Sequence, residues 1–210
     1  MKGERFYEER GLERIIGLSD AVFAFSLTLL ALDLVVPDLQ VDNAILLQQS
    51  LLDEIPRFLY FFVTFFITAA YWRSHHRIFR FIKRYDDVLM QLNLVLLVFI
   101  ILMPFITKLI NEHGNIQIGV IIAAIGYAIP GFLLSGMWHY SSKGYRLIED
   151  TITEDYIRET TLKNYVIPSV FIFSILFSFI KPSYTLYSWV LFIPLKILLQ
   201  YKFKAEKYKD

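Results

Sequence analysis

The chain has no cysteine and only 4 histidines among its 210 residues. Disulfides and thiolate metal centres are therefore excluded. Charged residues are also scarce, at 20% against about a quarter in an average soluble domain. No Walker loop, Gly-rich nucleotide turn, nucleophile elbow or zinc-protease helix occurs. Serine, histidine and aspartate are each present, yet nothing in their spacing assembles a catalytic triad. The expectation is a protein that is not an enzyme, holds no cofactor and has no structural metal. A net charge of +1 gives no footing for nucleic acid, because the basic residues are accounted for by topology.

What the chain does have is apolar length. Hydrophobic residues make up 56% and aromatics 17%. A helix needs roughly 20 largely apolar residues to cross a bilayer core. Such stretches recur over 15–36, 56–75, 88–110, 116–141, 164–180 and 183–201. The expected fold is an all-α membrane protein with six transmembrane helices per subunit, forming one domain over 1–210. The charged head (Lys2, Glu4, Arg5, Glu8, Glu9, Arg10, Glu13, Arg14) precedes a full-length apolar run without a small-residue cleavage site. It reads as the cytoplasmic start of a signal anchor, not a cleavable signal peptide.

Lys and Arg accumulate on the cytoplasmic side of membrane proteins. Here they gather at Lys2, Arg5, Arg10 and Arg14, then at Arg73, Arg77, Arg80, Lys83 and Arg84. Lys143, Arg146, Arg158 and Lys163 follow, and then the tail lysines Lys202, Lys204, Lys207 and Lys209. The alternate gaps hold only Arg57, Lys108 and Lys181, with Lys196 left inside the last apolar run. The asymmetry predicts both termini inside. The outer side carries an acidic group: Asp33, Asp38, Asp42, Asp53 and Glu54.

The first apolar run is the most patterned. Leu18, Val22, Phe25, Leu29, Leu32 and Val36 form a large apolar stripe at alternating spacings of four and three. Gly17, Ala21, Ala24, Thr28 and Ala31 form a neighbouring stripe of small residues. Small residues let transmembrane helices approach closely, so an ordinary packed helix explains these stripes. Asp20 is less easily explained. A carboxylate inside an apolar span is costly and usually has a partner or faces water, with Arg14 as one candidate partner at the cytoplasmic edge.

Other polar positions are Trp72, Arg73, Ser74, His75 and His76 at the end of the second run, and Gln91 and Asn93 in the third. Adjacent histidines point about 100° apart on a helix and cannot easily share one ion, so metal or heme is set aside. Ala44–Ile55 reads as a short amphipathic stretch at the outer surface, and 141–161 as a short cytoplasmic surface helix. Pro104, Pro130 and Pro168 read as tolerated kinks.

The stretch from Arg14 to Leu34, with Ser19, Asp20, Thr28, Leu29 and Leu30, resembles the first helix of the transmembrane protein 175 family, the lysosomal potassium channels and their prokaryotic relatives. That family's mark is Arg, three residues, Phe-Ser-Asp, and then a Thr-Leu-Leu run. The segment Trp72–His76 with Phe79 resembles it too, as do Asn93 and Leu102-Met103-Pro104-Phe105. The resemblance implies a potassium-permeable cation channel without a carbonyl filter. Prokaryotic members carry one six-helix repeat and assemble as homotetramers in the plasma membrane, with four first helices lining the pore. By the family's spacing, Phe25, Leu29 and Leu32 would form an apolar constriction, with Thr28 and Asp33 as polar neighbours. Arg14, Ser19, Asp20, Trp72, Asn93 and one of His75 or His76 would form the packing network that holds the pore helix. Two positions depart from the pattern: Leu18 stands for the motif Phe, and Phe25 stands where a branched aliphatic residue is usual. Two further readings stay open on residues alone, a secondary transporter using Asp20 as coupling carboxylate and a structural membrane subunit.

Overall fold

The computed structural model of the chain describes residues 2–34, 36 and 43–189, and the side chains from residue 10 onward. Helix α1 (Lys2–Leu29) continues into a 3-10 turn, Leu30–Asp33. Helix α2 (Ala44–Asp53) starts where the Asn43 side chain accepts hydrogen bonds from the Ile45 and Leu46 amides, an N-cap that satisfies two otherwise free donors. Helix α3 (Ile55–Phe79) carries Pro56 in its first turn, where the missing N–H costs nothing.

Helix α4 (Asp87–Ile101) is capped by the Asp86 carboxylate, which accepts from the Leu89 amide at 2.9 Å. It breaks at Leu102, and α5 (Met103–His113) resumes with Pro104 in its first turn. Helix α6 (Gln117–Ser142) contains Pro130, and α7 (Glu154–Ser178), capped by Thr153, contains Pro168. The chain is helical again over 182–189. Among the described residues there is no strand, only one isolated antiparallel bridge between Ile82 and Ile148.

Among the described residues five helical stretches are long and apolar enough to cross a membrane: Arg10–Asp33, Ile55–Phe79, Asp87–His113, Gln117–Tyr145 and Glu154–Ser178. The sixth expected helix, 183–201, lies mostly outside the described residues, as do Asp38, Asp42, Lys196 and the tail lysines. The third run forms one span, kinked as expected where α4 gives way to α5 at Pro104, which has no N–H to continue the helical ladder. One local expectation is corrected. The segment 141–161 does not form a separate surface helix. Instead α6 runs to Ser142, a 3-10 turn spans Lys143–Tyr145, and Glu154 already opens α7. The fifth span thus starts well before residue 164.

Helix α6 is central and packs against α3, α4, α5 and α7. Its buried face is rich in small residues, including Gly119, Ala123, Ala124, Ala128, Gly131 and Ser135, which allows the close approach that membrane helices rely on. Gly131 shows why size matters: a Cβ there would lie 2.9 Å from three carbons of the Pro168 ring. The large core side chains are Tyr71, Tyr127, Trp138 and Phe171, all essentially sealed from solvent.

The two loops at the Arg73–Arg84 end are stitched together. The amides of Lys83 and Arg84 both donate to the Leu147 carbonyl, at 2.9 and 3.3 Å. Gly144, at φ +63°, makes the reversal that brings Leu147 back to the Ser141 carbonyl, in a backbone region that glycine enters without penalty. The Tyr140 hydroxyl donates to Asp86 at 2.6 Å, with the Arg146 guanidinium 4.6 Å from the Tyr140 ring centre.

Candidate functional site

Helix α1 packs on α3, α4 and α5 with one face only. The buried positions are Leu12, Ile15, Ser19, Phe23, Ser26 and Leu30, spaced as one side of a helix. This is neither of the stripes singled out from the sequence. The large stripe instead looks outward. Leu18, Phe25, Leu32 and Val36 expose 50%, 62%, 75% and 81% of their surface, while Val22 and Leu29 are half-buried. The small stripe of Gly17, Ala21, Ala24, Thr28 and Ala31 is exposed as well. Among the described residues a continuous two-stripe face of α1 therefore has no partner. Thr28 turns its hydroxyl to the Phe25 carbonyl at 2.8 Å.

Behind that face lies a directional hydrogen-bond chain. The Asn93 Nδ2 donates to Ser19 Oγ at 3.0 Å, and Ser19 Oγ donates to the Ile15 carbonyl at 2.8 Å. The Asn93 Oδ1 accepts from His75 Nε2 at 2.9 Å, which assigns the proton to Nε2 because an amide oxygen can only accept. The His75 ring stacks on Phe79 with centroids 4.2 Å apart and sits 5.8 Å from Phe23. Ser19, His75 and Asn93 are all buried, so α1, α3 and α4 are tied by groups with no competing water.

His75 is thus the histidine brought into the cluster. His76 is exposed, with its ring 5.9 Å from that of Trp72. Asp20 takes the Trp72 indole N–H at 2.8 Å. Arg14 is exposed and does not pair with Asp20. The indole thus meets the carboxylate's need for a donor. At the far end of this helix, Asp33 accepts from the Asn111 side chain of α5 and is half-buried.

Five contacts escaped the sequence reading. Ser26 Oγ donates to the Ile100 carbonyl at 2.6 Å. That carbonyl lacks its ordinary helical donor because the residue four positions on is Pro104. Thr64, Thr107 and Tyr127 form a second buried cluster: Thr107 Oγ1 donates to Thr64 Oγ1 at 2.8 Å, and Thr64 meets the Tyr127 hydroxyl at 2.5 Å. Tyr71 donates to the Tyr127 carbonyl, and Ser74 donates to Asn164 of α7 at 2.9 Å. The available signal was the recurrence of Thr64, Thr68, Tyr71 and His75 at spacings of four, three and four along α3, which puts them on one face. Among the described residues no group of three or more His, Asp or Glu is placed to hold a metal.

A bundle of long apolar helices, with one helix offering an open face and braced from behind by buried polar groups, defines a multi-pass helical membrane protein. The family model described as endosomal/lysosomal potassium channel TMEM175 matches residues 14–104, a stretch that takes in α1 from Arg14 onward, the histidine pair and Asn93. A potassium channel of Chamaesiphon minutus is 27% identical over 177 residues, covering 83% of this chain and 87% of the relative. The endosomal/lysosomal proton channel TMEM175 of Danio rerio is 27% identical over 190 residues, 86% of this chain but only 36% of the fish protein. The crystal structure of a lysosomal potassium-selective channel TMEM175 homolog from Chamaesiphon minutus superposes with a TM-score of 0.77 at 25% identity, covering 90% of this chain and 97% of that one.

The chain is thus similar to the TMEM175 family, in sequence over residues 14–104 and in fold over 90% of its length. The relatives it matches are named as ion channels, which are not enzymes.

Proposed function

We propose that the chain forms a potassium-permeable channel in a prokaryotic plasma membrane, as a homotetramer whose four α1 helices line the pore with both termini inside. The observation that carries this reading is the open face of α1, where Phe25 and Leu32 expose more than half of their surface. Phe25, Leu29 and Leu32 recur at i, i+4 and i+7, so one helical face can present all three to a shared axis. They would span roughly 10 Å of pore. An apolar constriction of that length gates by dewetting and sieves ions without binding them. Thr28 is the polar neighbour on this face. Asp33 and the acidic segment beyond it would raise the local cation concentration at the outer mouth.

The clamp of Ser19, Asn93 and His75, with the Asp20–Trp72 contact beside it, fixes the rotation of α1 and so the direction in which the three side chains point. Potassium is the permeant ion named for the bacterial relatives, and no cofactor is required.

The test is single-channel recording from liposome-reconstituted protein, with sodium and proton controls. Leu29→Asn is expected to ease wetting and raise conductance, while Phe25→Ala and Leu32→Ala weaken selectivity among monovalent cations. If all three variants fold, assemble and conduct with the original amplitude and selectivity, α1 does not line the pore.

A further inference from the structure

The cytoplasmic third of α3 holds basic residues that the channel reading does not use. Arg73, Arg77 and Arg80 follow one another at spacings of four and three, so they form one ridge along the helix. All three are exposed. Among the described residues no carboxylate lies within ion-pairing distance of any of them, although Lys83, Lys108 and Lys163 each have a glutamate partner. The end of a helix favours cations, but the α3 terminus provides no discrete anion to receive three guanidinium forks.

The surroundings narrow what the anion is. Arg73 and Arg77 lie in the last two turns of the membrane-crossing stretch Ile55–Phe79, at the depth where a bilayer changes from acyl chain to headgroup. Trp72 precedes the ridge and is 39% exposed. Aromatic rings of this kind sit at the headgroup level. Arg73 and Arg77 stand about 6 Å apart along the helix, within reach of one phosphate, and a guanidinium binds phosphate oxygens bidentately. Ser74, between them in sequence, is buried and donates to Asn164 of α7, so the ridge lies beside the point where a buried hydrogen bond ties α3 to α7.

We propose that Arg73, Arg77 and Arg80 form a binding site for the phosphate headgroup of an anionic glycerophospholipid. The lipid acts as a bound component that stabilises the α3–α7 seam, while its acyl chains lie along the exposed apolar surface of those helices. Free phosphate offers the same oxygens without the acyl chains, and a second copy of the chain is the other possible occupant. The site sits beside the clamp and does not depend on which ion permeates.

The experiment is thermal unfolding of the full chain in nanodiscs of pure phosphatidylcholine and of phosphatidylcholine with added phosphatidylglycerol. The anionic lipid is expected to raise Tm by roughly 4–8 °C. Arg73→Gln and Arg77→Gln each remove about half of that rise, Arg77→Lys keeps part of it, and Lys108→Gln at the opposite end leaves it whole. Millimolar inorganic phosphate in phosphatidylcholine gives no rise. An equal rise in the wild type and both glutamine variants would overturn the proposal, and so would a rise reproduced by phosphate alone. Loss of the oligomer in the glutamine variants without any lipid dependence would place a second copy on the ridge and also overturn it.

Discussion

Replacing Asn93 with alanine tests the clamp most directly. The side chain carries two interhelical hydrogen bonds, to Ser19 at 3.0 Å and from His75 at 2.9 Å, and all three residues are buried. Interhelical side-chain bonds in membrane proteins average about 0.6 kcal/mol and reach about 1.7 kcal/mol. Two such bonds give about 1–3 kcal/mol. The variant also leaves the His75 Nε2–H without an acceptor, in a site where its Nδ1 already lacks a partner, which pushes the cost toward the upper end. For a chain of this size that corresponds to a Tm lowered by roughly 4–10 °C. Ser19→Ala should cost less, because Ser19 serves Asn93 alone across the interface while its other bond stays within α1. The double variant should cost less than the sum, since one bond is counted in both singles. The assay is the fraction of monodisperse protein surviving a heating series. An Asn93→Ala variant as heat-resistant as the original, or strictly additive effects with Ser19→Ala, would refute the clamp.

Two further outcomes follow from local geometry. Slight burial works to raise the Asp86 pKa, but the Tyr140 hydroxyl, the Leu89 amide and the nearby Arg146 charge outweigh it and hold the carboxyl below its ordinary value of 3.8. A lowered folded-state pKa stabilises the fold above the unfolded value, and that contribution is lost as pH falls through the folded value. Tyr140→Phe should therefore lower Tm at neutral pH, with the difference from the original closing below about pH 4; a constant difference at all pH values would refute the link. Gly131→Ala places a Cβ 2.9 Å from the rigid Pro168 ring and should cost about 1–3 kcal/mol by overpacking. Gly136→Ala, with nothing within 4 Å, should be neutral or slightly stabilising in the same heating assay.

The apolar runs made the spans legible, because a bilayer demands length and length is visible in sequence. The buried face of α1 was not legible for a related reason. Lipid is as apolar as a protein core, so hydrophobicity does not mark the side that packs. The stripe that turned inward, from Leu12 through Ser19 and Ser26 to Leu30, mixes leucine with serine and looked the least distinctive. The choice between His75 and His76 depended on the rotation of α3, which the adjacent pair alone cannot give. Its polar neighbours Thr64, Thr68 and Tyr71 do record that rotation. Asp20 suggested a cation by charge matching, whereas the structure supplies an indole N–H from 52 residues away, a distance at which sequence says nothing about contact. The charges of Glu154, Asp155, Arg158, Glu159 and Lys163 suggested a surface segment, but Thr153 caps a helix there that continues into the apolar part without a break.

The contact between Ser26 and Ile100 ties the fate of two distant positions together. Pro104 frees a carbonyl, and Ser26, 78 places earlier on another helix, occupies it. A residue with an N–H at 104 would close that carbonyl within its own helix and leave the serine hydroxyl with nothing to bind. Losing the hydroxyl while keeping the proline would leave that carbonyl only the shared Leu102 N–H in the packed interior. Either change alone is a step downhill in stability, and the two together largely cancel. In an evolving lineage these positions are a ratchet: the kink, once fixed with its serine, is hard to undo one substitution at a time.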